Sequence, residues 1–429
     1  MNAAAAASSA FSPLRVLQLN SMLTGGGTDD QCVKLASGLH QLGQQVGIAG
    51  PDGREFSKVI KHLGVPFHIT PREGPLKLGF ILSAARFIRR EQIQIVHGHH
   101  GRDLWPTNLA AKLSGVRPKI ILTRHMAKSP SSWASRNFLL RQCDALIAVS
   151  EFVARVLREG VYEPDSPNPE RRSRPPLRGD HSKIHVIHGG IDTTRFTPWP
   201  RDDARVQSQR AAWGLLENDF AFGVVGGFDL PRGKGQREFL AAAASVRDAV
   251  PNARFLLIGR GNMEEILRQD IARLGLEKVA RLTGHCTTMP QAMNALDCLV
   301  HPQVGTEAFP GVVLEALACG KPVVASALDG IPEAFQAGAY GQLVKPDSID
   351  ELAAALLKWA THPLLGNAER QQLHERVAER FSIQTNARRV LELYRELVPP
   401  VGQAPRSPVS CRAAAIISLA VARAAMQGY

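Results

Sequence analysis

Short apolar runs alternate with amphipathic segments along most of this chain, and this alternation restricts the possible folds more than any other feature of the sequence. The runs of the first half lie at residues 15–20, 46–51, 65–70, 93–100, 119–125 and 145–150. Helical patterns separate them, at 31–43, 77–92 and 152–160, and a second series of the same kind begins at residue 220. Strands joined through helices form parallel sheets, with ligand sites at the carboxyl ends of the strands. The sequence therefore predicts an α/β fold of doubly wound parallel sheets.

The length of 429 residues predicts two domains of this kind, each large enough to bury its own core. An apolar content of 44% and a charged content of 21% are typical of globular proteins. No run reaches the roughly 20 consecutive apolar residues that a membrane-spanning helix needs. The weakly apolar segment 413–426 is shorter, so it is interpreted as an interfacial helix or, preferably, a dispensable tail.

The cysteines and the N-terminus indicate the compartment. Six cysteines are scattered without Cys-X-X-Cys spacing, and several fall in predicted strands or helices, as expected of buried thiols in a reducing compartment. The N-terminus is rich in alanine and serine but lacks the basic region and apolar core of a secretion signal. We therefore expect a cytoplasmic protein.

The net charge of +12 predicts an anionic partner. Nucleic acid, anionic lipid headgroups and nucleotide phosphates all meet this requirement. Only 6% of the residues are aromatic and they are not interleaved with basic residues, so the chain lacks a stacking platform for single strands. An anionic membrane surface is preferred to nucleic acid.

A glycine-rich loop follows the first strand. Gly25, Gly26 and Gly27 come directly before the helical pattern at 31–43. Glycines let the backbone approach a ligand closely, and a helix N-terminus favours an anion. Such turns are also common for packing reasons, so this loop alone leaves a binding role and a structural role open.

Residues 306–326 place two glutamates on either side of a predicted helix start. Pro310 suits the entry of the helix that the following VVLEALA predicts, so Glu307 is expected in the loop and Glu315 within the helix. The backbone N–H groups of residues 309–313 should then point toward the loop. This arrangement suits a phosphate or a hydroxyl-rich ligand, although two solvated acids beside an ordinary helix also fit the pattern.

Two more turns between a strand and a helix, both in the second half, combine glycine with a basic residue. Lys234 and Gly235 stand just before a predicted helix, so a cationic side chain and free N–H groups converge there. These features fit a diphosphate site and fit equally a surface lysine in a loop. Gly259, which is followed by Arg260, ends another strand at the same sheet edge.

Histidines follow two strands of the first half. His97, His99 and His100 come after one strand, and His125 comes after the next. Histidines at such positions are more often hydrogen-bonded structural residues than catalysts. A zinc site is a third interpretation, but the cluster lacks a spaced acidic or cysteine ligand.

These segments resemble, in the expected order, the motifs of family 4 glycosyltransferases, the retaining enzymes that use nucleotide sugars. Residues 307–323 contain every fixed letter of the signature E-x-F-P-x-x-x-x-E-A-x-A-x-G-x-P-V, and Thr123 to His125 match a T-x-H motif. The resemblance runs from about residue 15 to 397. It implies a GT-B fold, in which two Rossmann-like domains face a cleft and a C-terminal helix crosses back to the first domain.

The resemblance also implies roles for the candidate residues. Glu307 would contact the donor sugar, His125 the same sugar from the opposite domain, and Lys234 the diphosphate, so these three are the predicted catalytic residues. Glu315 would bind the ribose hydroxyls, and His99 matches a position on the acceptor side. The predicted donor-binding residues are Gly26, Gly27, Arg232, Gly235, Gly259, Phe309, Pro310, Gly311, Val312 and Glu315.

The predicted diphosphate site departs from the family pattern. Gly227 stands where the family has an arginine, and two extra residues precede Lys234. Arg232, in this longer loop, is the candidate to supply the missing charge.

Domain boundaries follow from the resemblance and from composition. The predicted parts are a disordered tail (1–13), an acceptor-side domain (14–198), a nucleotide-sugar domain (199–380), a crossover helix (381–398) and a linker with a weakly apolar tail (399–429). One continuous helix is predicted over 369–398, its last part crossing back. The Pro- and Arg-rich segment 162–182 breaks every periodicity and is predicted to be a solvated, basic insertion.

The implied reaction transfers a sugar from a nucleotide diphosphate donor to a hydroxyl, with retention at the anomeric carbon and with no cofactor or metal. A glycolipid or polysaccharide of the cell envelope, of the lipopolysaccharide type, is the expected acceptor, which would place the protein at the inner face of the membrane. Two alternatives remain open. An isomerase of the nucleotide-sugar 2-epimerase kind would need additional acids and bases in the cleft, and a non-catalytic binding protein is suggested by the arginine missing at Gly227.

Overall fold

The computed structural model describes residues 12–398 except for 24, 53–54, 72–77, 167 and 336–339. The predicted C-terminal linker and tail, and all but two residues of the predicted N-terminal tail, lie outside the described residues.

Within the described residues, the chain forms fifteen strands and sixteen α-helices. The strands are β1 (Arg15–Leu19), β2 (Gln45–Gly50), β3 (Phe67–Ile69), β4 (Ile95–Gly98), β5 (Lys119–Arg124), β6 (Ala145–Ala148), β7 (Val161–Tyr162), β8 (Ser173–Arg174), β9 (Ile184–Val186), β10 (Phe220–Val225), β11 (Ala253–Ile258), β12 (Ala280–Gly284), β13 (Cys298–His301), β14 (Val323–Ser326) and β15 (Gly341–Val344). The helices are α1 (Gly27–Gln41), α2 (Glu55–His62), α3 (Leu78–Arg90), α4 (Leu104–Ser114), α5 (Trp133–Gln142), α6 (Glu151–Arg158), α7 (Pro169–Arg172), α8 (Ala204–Ala212), α9 (Gln236–Val246), α10 (Glu264–Arg273), α11 (Met289–Ala295), α12 (Gly311–Ala318), α13 (Ile331–Ala334), α14 (Ile349–Thr361), α15 (Asn367–Phe381) and α16 (Ile383–Leu397).

Two parallel sheets organise these elements. The first has the strand order β3-β2-β1-β4-β5-β6-β9, and the second has the order β12-β11-β10-β13-β14-β15. Both belong to one compact unit, Ser12–Leu397. The strand order reverses between β1 and β4 and again between β10 and β13, and α/β sheets bind ligands at such points. The predicted α/β class with two Rossmann-like sheets is confirmed, whereas the boundaries at 198 and 380 stay predictions.

The strands are apolar runs because both faces of each sheet are buried. In the second sheet, Leu256 and Val323 pack in one hydrophobic cluster, and the residues that follow them, Leu257 and Val324, pack in another. Successive side chains of a strand point to opposite faces, so these clusters lie on opposite sides of the sheet. Each buried side chain of this size contributes about 1.5–3 kcal/mol, which makes the alternating pattern a strong determinant of the fold.

The last two of the described helices carry the chain from the second sheet back to the first. The prediction of one continuous helix over 369–398 is wrong, because the structure has two helices that meet at Ser382. Ile191 causes the break: its N–H donates to the Phe381 carbonyl at 2.8 Å, and the Ile383 N–H donates to the Ile191 carbonyl at 3.0 Å. The second helix, α16, then packs on α1. The predicted crossover helix is confirmed.

A glycine in α1 allows this close packing. A Cβ atom placed on Gly38 would lie 2.7 Å from the Ala387 Cβ, which is closer than two carbon atoms can approach. Any side chain at residue 38 would therefore push α16 away from the first domain.

Many residues of the insertion 162–182 are exposed, as its composition predicts, but the segment is more than a plain loop. Strands β7 and β8 pair antiparallel and α7 lies between them. The Arg174 side chain is only 1% exposed, and its guanidinium lies 3.1 Å from Asp329 Oδ1 and 2.9 Å from Glu163 Oε1. Asp329 follows β14 of the second sheet, so the insertion joins the two domains through a buried ion pair.

In the described part of the chain, no helix is both long and apolar enough to cross a membrane.

Candidate active site

A cavity of about 360 Å³ lies between the carboxyl ends of the strands of the two sheets. Eight of the predicted site residues line it: Gly27, His125, Lys234, Glu307, Phe309, Gly311, Val312 and Glu315. A larger cavity of about 590 Å³ lies by the opposite ends of β1 and β2, beside Arg15 and Gln45, and contains none of the predicted residues. The cleft between the domains is therefore where the predicted residues converge.

Lys234 and Glu307 form an ion pair at the reversal of strand order in the second sheet. Lys234 follows β10 and Glu307 follows β13, and Lys234 Nζ lies 2.8 Å from Glu307 Oε2. His301 Nε2 lies 3.6 Å from the same oxygen. Burial opposes ionisation of Glu307, but Lys234 and His301 outweigh it and hold the pKa of Glu307 well below its ordinary value. The site thus contains an ionised carboxylate beside an ammonium group.

Helix α12 directs its N-terminus into the same cavity. Its N-cap, Pro310, provides no side-chain hydrogen bond, so the first N–H groups of the helix have no capping acceptor. Gly311 and Val312, the first two residues, line the cavity. The cap of α1 at Gly26 likewise provides no side-chain bond, and Gly27 and Thr28 of α1 reach the cavity from the first domain. Two helix N-termini, one from each domain, therefore offer N–H donors and partial positive charge to an anion.

Glu315 lies one turn into α12 and faces a charged pair of the first domain. Lys34 Nζ lies 2.6 Å from Asp30 Oδ2, and both residues line the cavity with Glu315. Burial raises the pKa of Glu315, Lys34 partly offsets this effect, and Asp30 adds to it. Asp30 and Lys34 were not among the residues predicted to form the site. Their spacing of four residues in the helix behind the glycine loop was the available signal.

Three predicted residues fix helix ends instead of lining the cavity. Gly26, Gly235 and Pro310 are the N-caps of α1, α9 and α12. Gly235 also has a left-handed backbone, with φ of 86°, and a Cβ there would overlap the Pro302 carbonyl. Their contribution to donor binding stays a prediction.

Gly259 and Arg232 also lie outside the cavity lining. A Cβ on Gly259 would overlap the carbonyl oxygen of Gly226, which gives this glycine a packing role. One guanidinium nitrogen of Arg232 lies 3.9 Å from Asp347 Oδ1. The replacement of the family arginine by Arg232 therefore stays a prediction.

His99, predicted on the acceptor side, is buried behind the cavity in a row of three histidine rings. The ring centroids of His97 and His99 are 4.3 Å apart, and those of His99 and His125 are 5.7 Å apart. His97 uses both ring nitrogens, at 2.6 Å from the hydroxyls of Tyr394 and Thr123. These bonds leave no nitrogen of His97 for the zinc site considered above.

All three histidines are neutral near pH 7. Burial, reinforced by neighbouring His or Arg side chains, lowers the pKa of His97 and of His125 to about 3 and the pKa of His99 well below its ordinary value. His125, which lines the cavity, is thus an uncharged hydrogen-bonding group.

The neutral histidines predict sensitivity to acid. In the unfolded chain each histidine takes up a proton near pH 6.5, whereas in the folded protein it does not, so acid favours unfolding. The free energy of unfolding is expected to fall as the pH decreases from about 6.5 toward about 3, by up to roughly 4 kcal/mol per pH unit for the three residues. His68 and His185, whose pKa values are also lowered by burial, act in the same direction.

Urea unfolding at three pH values between about 7.5 and 5.5 measures this slope. The slope of the unfolding free energy against pH reports how many protons the chain takes up on unfolding. The variant His99→Gln is expected to reduce that number by about one. Equal unfolding free energies at both ends of this pH range would contradict the prediction.

Comparison with known proteins identifies the family. The model for "Glycosyltransferase Family 4" matches residues 25–165, and the model for "Glycosyl transferases group 1" matches residues 219–362. The two matches cover all of the second sheet, all strands of the first sheet except β1 and β9, and every predicted residue that lines the cavity. The chain belongs to glycosyltransferase family 4.

This glycosyltransferase resembles curated relatives over most of its length. It is 28% identical to the lipopolysaccharide core biosynthesis mannosyltransferase LpsB of Rhizobium meliloti, over 71% of this chain and 80% of the relative. It is 26% identical to a D-inositol 3-phosphate glycosyltransferase of Corynebacterium jeikeium, over 82% of this chain and 84% of the relative.

Solved structures of glycosyltransferases share its fold. A glycosyltransferase from Rickettsia africae superposes with a TM-score of 0.73 at 20% identity, covering 90% of this chain and 99% of that chain. The Anabaena protein HepE, solved in complex with UDP-glucose, superposes with a TM-score of 0.70 at 21% identity, covering 88% of this chain and 98% of that chain. The predicted GT-B fold is confirmed.

Proposed function

We propose that this family 4 enzyme is a retaining glycosyltransferase that moves a sugar from a nucleotide diphosphate donor to a hydroxyl of a cell-envelope glycolipid or polysaccharide, of the lipopolysaccharide type. The ion pair of Lys234 and Glu307 beside the N-terminus of α12 carries this proposal. It places positive charge for a diphosphate next to an ionised carboxylate for a sugar. The similarity to a lipopolysaccharide core mannosyltransferase supports the acceptor class.

Leaving-group stabilisation is the first demand of this reaction, because departure of the diphosphate concentrates negative charge. Lys234 and the N–H groups of Gly311 and Val312 lie where they can bind that charge. We propose that these groups serve in place of a metal ion. The acceptor oxygen bonds to the anomeric carbon as the bond to the diphosphate breaks, on the same face of the sugar, and the acceptor proton passes to a phosphate oxygen.

Placement of the sugar is the second demand. Glu307 contacts the sugar from the second domain, and its ionised carboxylate stabilises the positive charge that develops at the anomeric carbon. His125 contacts the sugar from the first domain as a neutral hydrogen-bonding group. Both residues line the one cavity, which is the arrangement that a sugar held between two domains requires.

Glu315 is assigned to the ribose hydroxyls, so its removal is expected to weaken nucleotide binding. Glu315→Ala removes an acceptor for two hydroxyl groups, and hydrogen bonds to a charged group contribute about 1.5–3 kcal/mol, or roughly 10- to 100-fold in the dissociation constant. Calorimetric titration with UDP, GDP and ADP measures this change.

Glu277→Ala is the matched control for Glu315→Ala, because Glu277 is an exposed glutamate of the same domain. Equal nucleotide binding by the wild type and Glu315→Ala would remove the ribose assignment.

A donor screen and an acceptor assay test the whole proposal. Thermal shifts with UDP-, GDP- and ADP-sugars identify the donor, because a ligand that binds the folded state raises its stability. Free nucleotide diphosphate that appears only in the presence of acceptor shows transfer, whereas interconversion of the sugar without acceptor shows the isomerase alternative. A donor that binds and is never consumed shows the non-catalytic alternative.

Mass spectrometry of glycolipid extracts from a deletion strain tests the acceptor class. Loss of one sugar from a lipopolysaccharide-type glycan is expected. An unchanged glycan profile would contradict the envelope acceptor.

We further propose that the protein acts in the cytoplasm at an anionic membrane surface, with no nucleic acid as partner. Helix α3 supports this proposal: Leu78 and Leu82 are 53% and 43% exposed, and the helix ends with Arg89 and Arg90. Exposed apolar residues with basic neighbours on one helix are typical of contacts with anionic lipids.

A further inference from the structure

A continuous row of hydrogen bonds joins the crossover helix to His125. The hydroxyl of Tyr394, in α16, lies 3.2 Å from Gln18 Nε2 and 2.6 Å from His97 Nδ1. Gln18 Oε1 lies 2.6 Å from His99 Nε2, and His99 Nδ1 lies 3.4 Å from His125 Nε2. Tyr394, Gln18, His97 and His99 are all at most 1% exposed, so water does not compete for these bonds.

The Gln18 amide decides which ring nitrogens carry protons. Its Oε1 atom can only accept, so His99 donates from Nε2. A neutral histidine carries one ring proton, so His99 Nδ1 accepts, and His125 donates to it from Nε2. His125 then keeps a lone pair on Nδ1, which has no hydrogen-bond partner among the described residues.

The Tyr394 hydroxyl is the second hydrogen-bond partner of the Gln18 amide. With the amide as placed, the tyrosine oxygen accepts from Gln18 Nε2 while its proton goes to His97 Nδ1, and His97 Nε2 donates to Thr123. If the Gln18 amide were turned over, each donor in the row would become an acceptor and each acceptor a donor. The ring proton of His125 would then lie on Nδ1. The orientation of one buried amide and the tautomer of His125 are therefore a single variable.

We propose that Gln18, held in place by its hydrogen bond to Tyr394, is a positioning residue that fixes His125 as the Nε2–H tautomer and leaves its Nδ1 lone pair for a sugar hydroxyl in the cavity. This proposal rests on the proposed function, in which His125 contacts the donor sugar. A neutral acceptor suits this place, because positive charge develops on the sugar in the transition state and a cationic ring would oppose it.

Nuclear magnetic resonance reads the tautomer directly and needs no substrate. The full chain, labelled with ¹⁵N in the histidine rings, gives long-range ¹H–¹⁵N correlations that distinguish protonated from unprotonated ring nitrogens. The set of correlations that disappears in the variant His125→Gln belongs to His125. We expect a protonated Nε2 and an unprotonated Nδ1 at neutral pH. A proton on Nδ1 of His125 in the wild type would overturn the proposal.

Two variants test whether Gln18 and Tyr394 determine the tautomer of His125. Gln18→Met keeps the side-chain volume but removes the acceptor of His99, and Tyr394→Phe frees the amide to turn, so each is expected to give a mixture of His125 tautomers. Gln44→Met is the matched control, because Gln44 is also a buried glutamine of the first domain but bonds only to the backbone of Leu14 and Leu42. An unchanged His125 tautomer in both Gln18→Met and Tyr394→Phe would overturn the proposal.

Kinetics separates this role from a merely structural one. With the sugar donor found in the thermal-shift screen, kcat/KM of Gln18→Met is expected to fall about tenfold, the value of one buried hydrogen bond. The dissociation constants of UDP, GDP and ADP are expected to stay within about twofold, since Gln18 acts through His125, which is assigned to the sugar and not to the nucleotide. Equal losses in nucleotide binding and turnover would indicate general damage and contradict the proposal. If the tautomers respond as expected but the wild type consumes no sugar donor, the proposed function fails while the control of the tautomer stands.

Discussion

Glu307→Gln is expected to lower kcat by about 10²- to 10³-fold while the dissociation constant of the nucleotide diphosphate changes by less than about threefold. Glutamine keeps the size and one acceptor of the side chain but removes the charge that we propose stabilises the developing cation at the anomeric carbon. The loss should therefore appear in turnover and not in binding. Single-turnover assays with the identified sugar donor, paired with calorimetry on UDP and GDP, measure the two effects separately.

Lys234 makes this prediction specific. Its ammonium group is 2.8 Å from Glu307 in the structure, so Glu307→Gln releases the lysine to the diphosphate, and binding of free nucleotide diphosphate should not weaken. Glu315→Ala serves as the contrasting variant, since it is expected to affect binding first. A Glu307→Gln enzyme with wild-type turnover, or with nucleotide binding as weak as that of Glu315→Ala, would contradict the division of roles between the two glutamates.

Arg174→Met is expected to lower the free energy of unfolding by about 3–5 kcal/mol. The side chains of Arg174 and Asp329 are each 1% exposed, so removal of the guanidinium leaves a buried carboxylate without its partner. Burial raises the pKa of Asp329 even with the arginine present, which shows how costly its charge is in this place. Such a loss is a large share of the roughly 5–15 kcal/mol that stabilises a typical protein.

Urea unfolding followed by tryptophan fluorescence measures the Arg174→Met effect. Arg171→Met is the control, because Arg171 pairs with the same Glu163 but not with Asp329. Asp329→Asn, combined with Arg174→Met, is expected to recover part of the loss, since the buried charge is then gone as well. Equal stability of Arg174→Met and Arg171→Met would show that the insertion does not join the domains energetically.

The Arg174 variant should also slow catalysis. Asp329 Oδ2 accepts a hydrogen bond from the backbone N–H of Glu307 at 3.2 Å, so the carboxylate that pairs with the insertion also holds the loop of Glu307, the proposed catalytic residue. Stability and turnover are therefore expected to fall together in Arg174→Met, unlike in Glu307→Gln.

The fold could be predicted because strands buried on both faces contain continuous apolar runs, as in 255–258 and 323–325. The residues near Glu307 and Glu315 could be predicted because their chemistry lies in one short segment, in which the helix start and the two acids have a fixed spacing. Lys34 and Asp30 could have been found in the same way, since they belong to the helix behind the glycine loop.

Contacts between distant residues could not be predicted. Arg174 meets Asp329 across 155 positions and Gln18 meets Tyr394 across 376, and no local pattern reports such pairs. Gln18 stands in the middle of a strand, where a polar residue ordinarily suggests an exposed face. The break at Ser382 has no proline or glycine to announce it, because the chain at Ile191 imposes it.

The crossover helix α16 determines when, during synthesis, the core of the first domain can be completed. The first domain leaves the ribosome before the second, but α16 covers α1 and supplies Tyr394 only when residue 394 has been added. Until then the buried faces of Gln18 and His97 lack their partner, and Gly38 has no helix to pack against. The N-terminal half of this enzyme therefore waits, during synthesis, for α16 before its own core is closed.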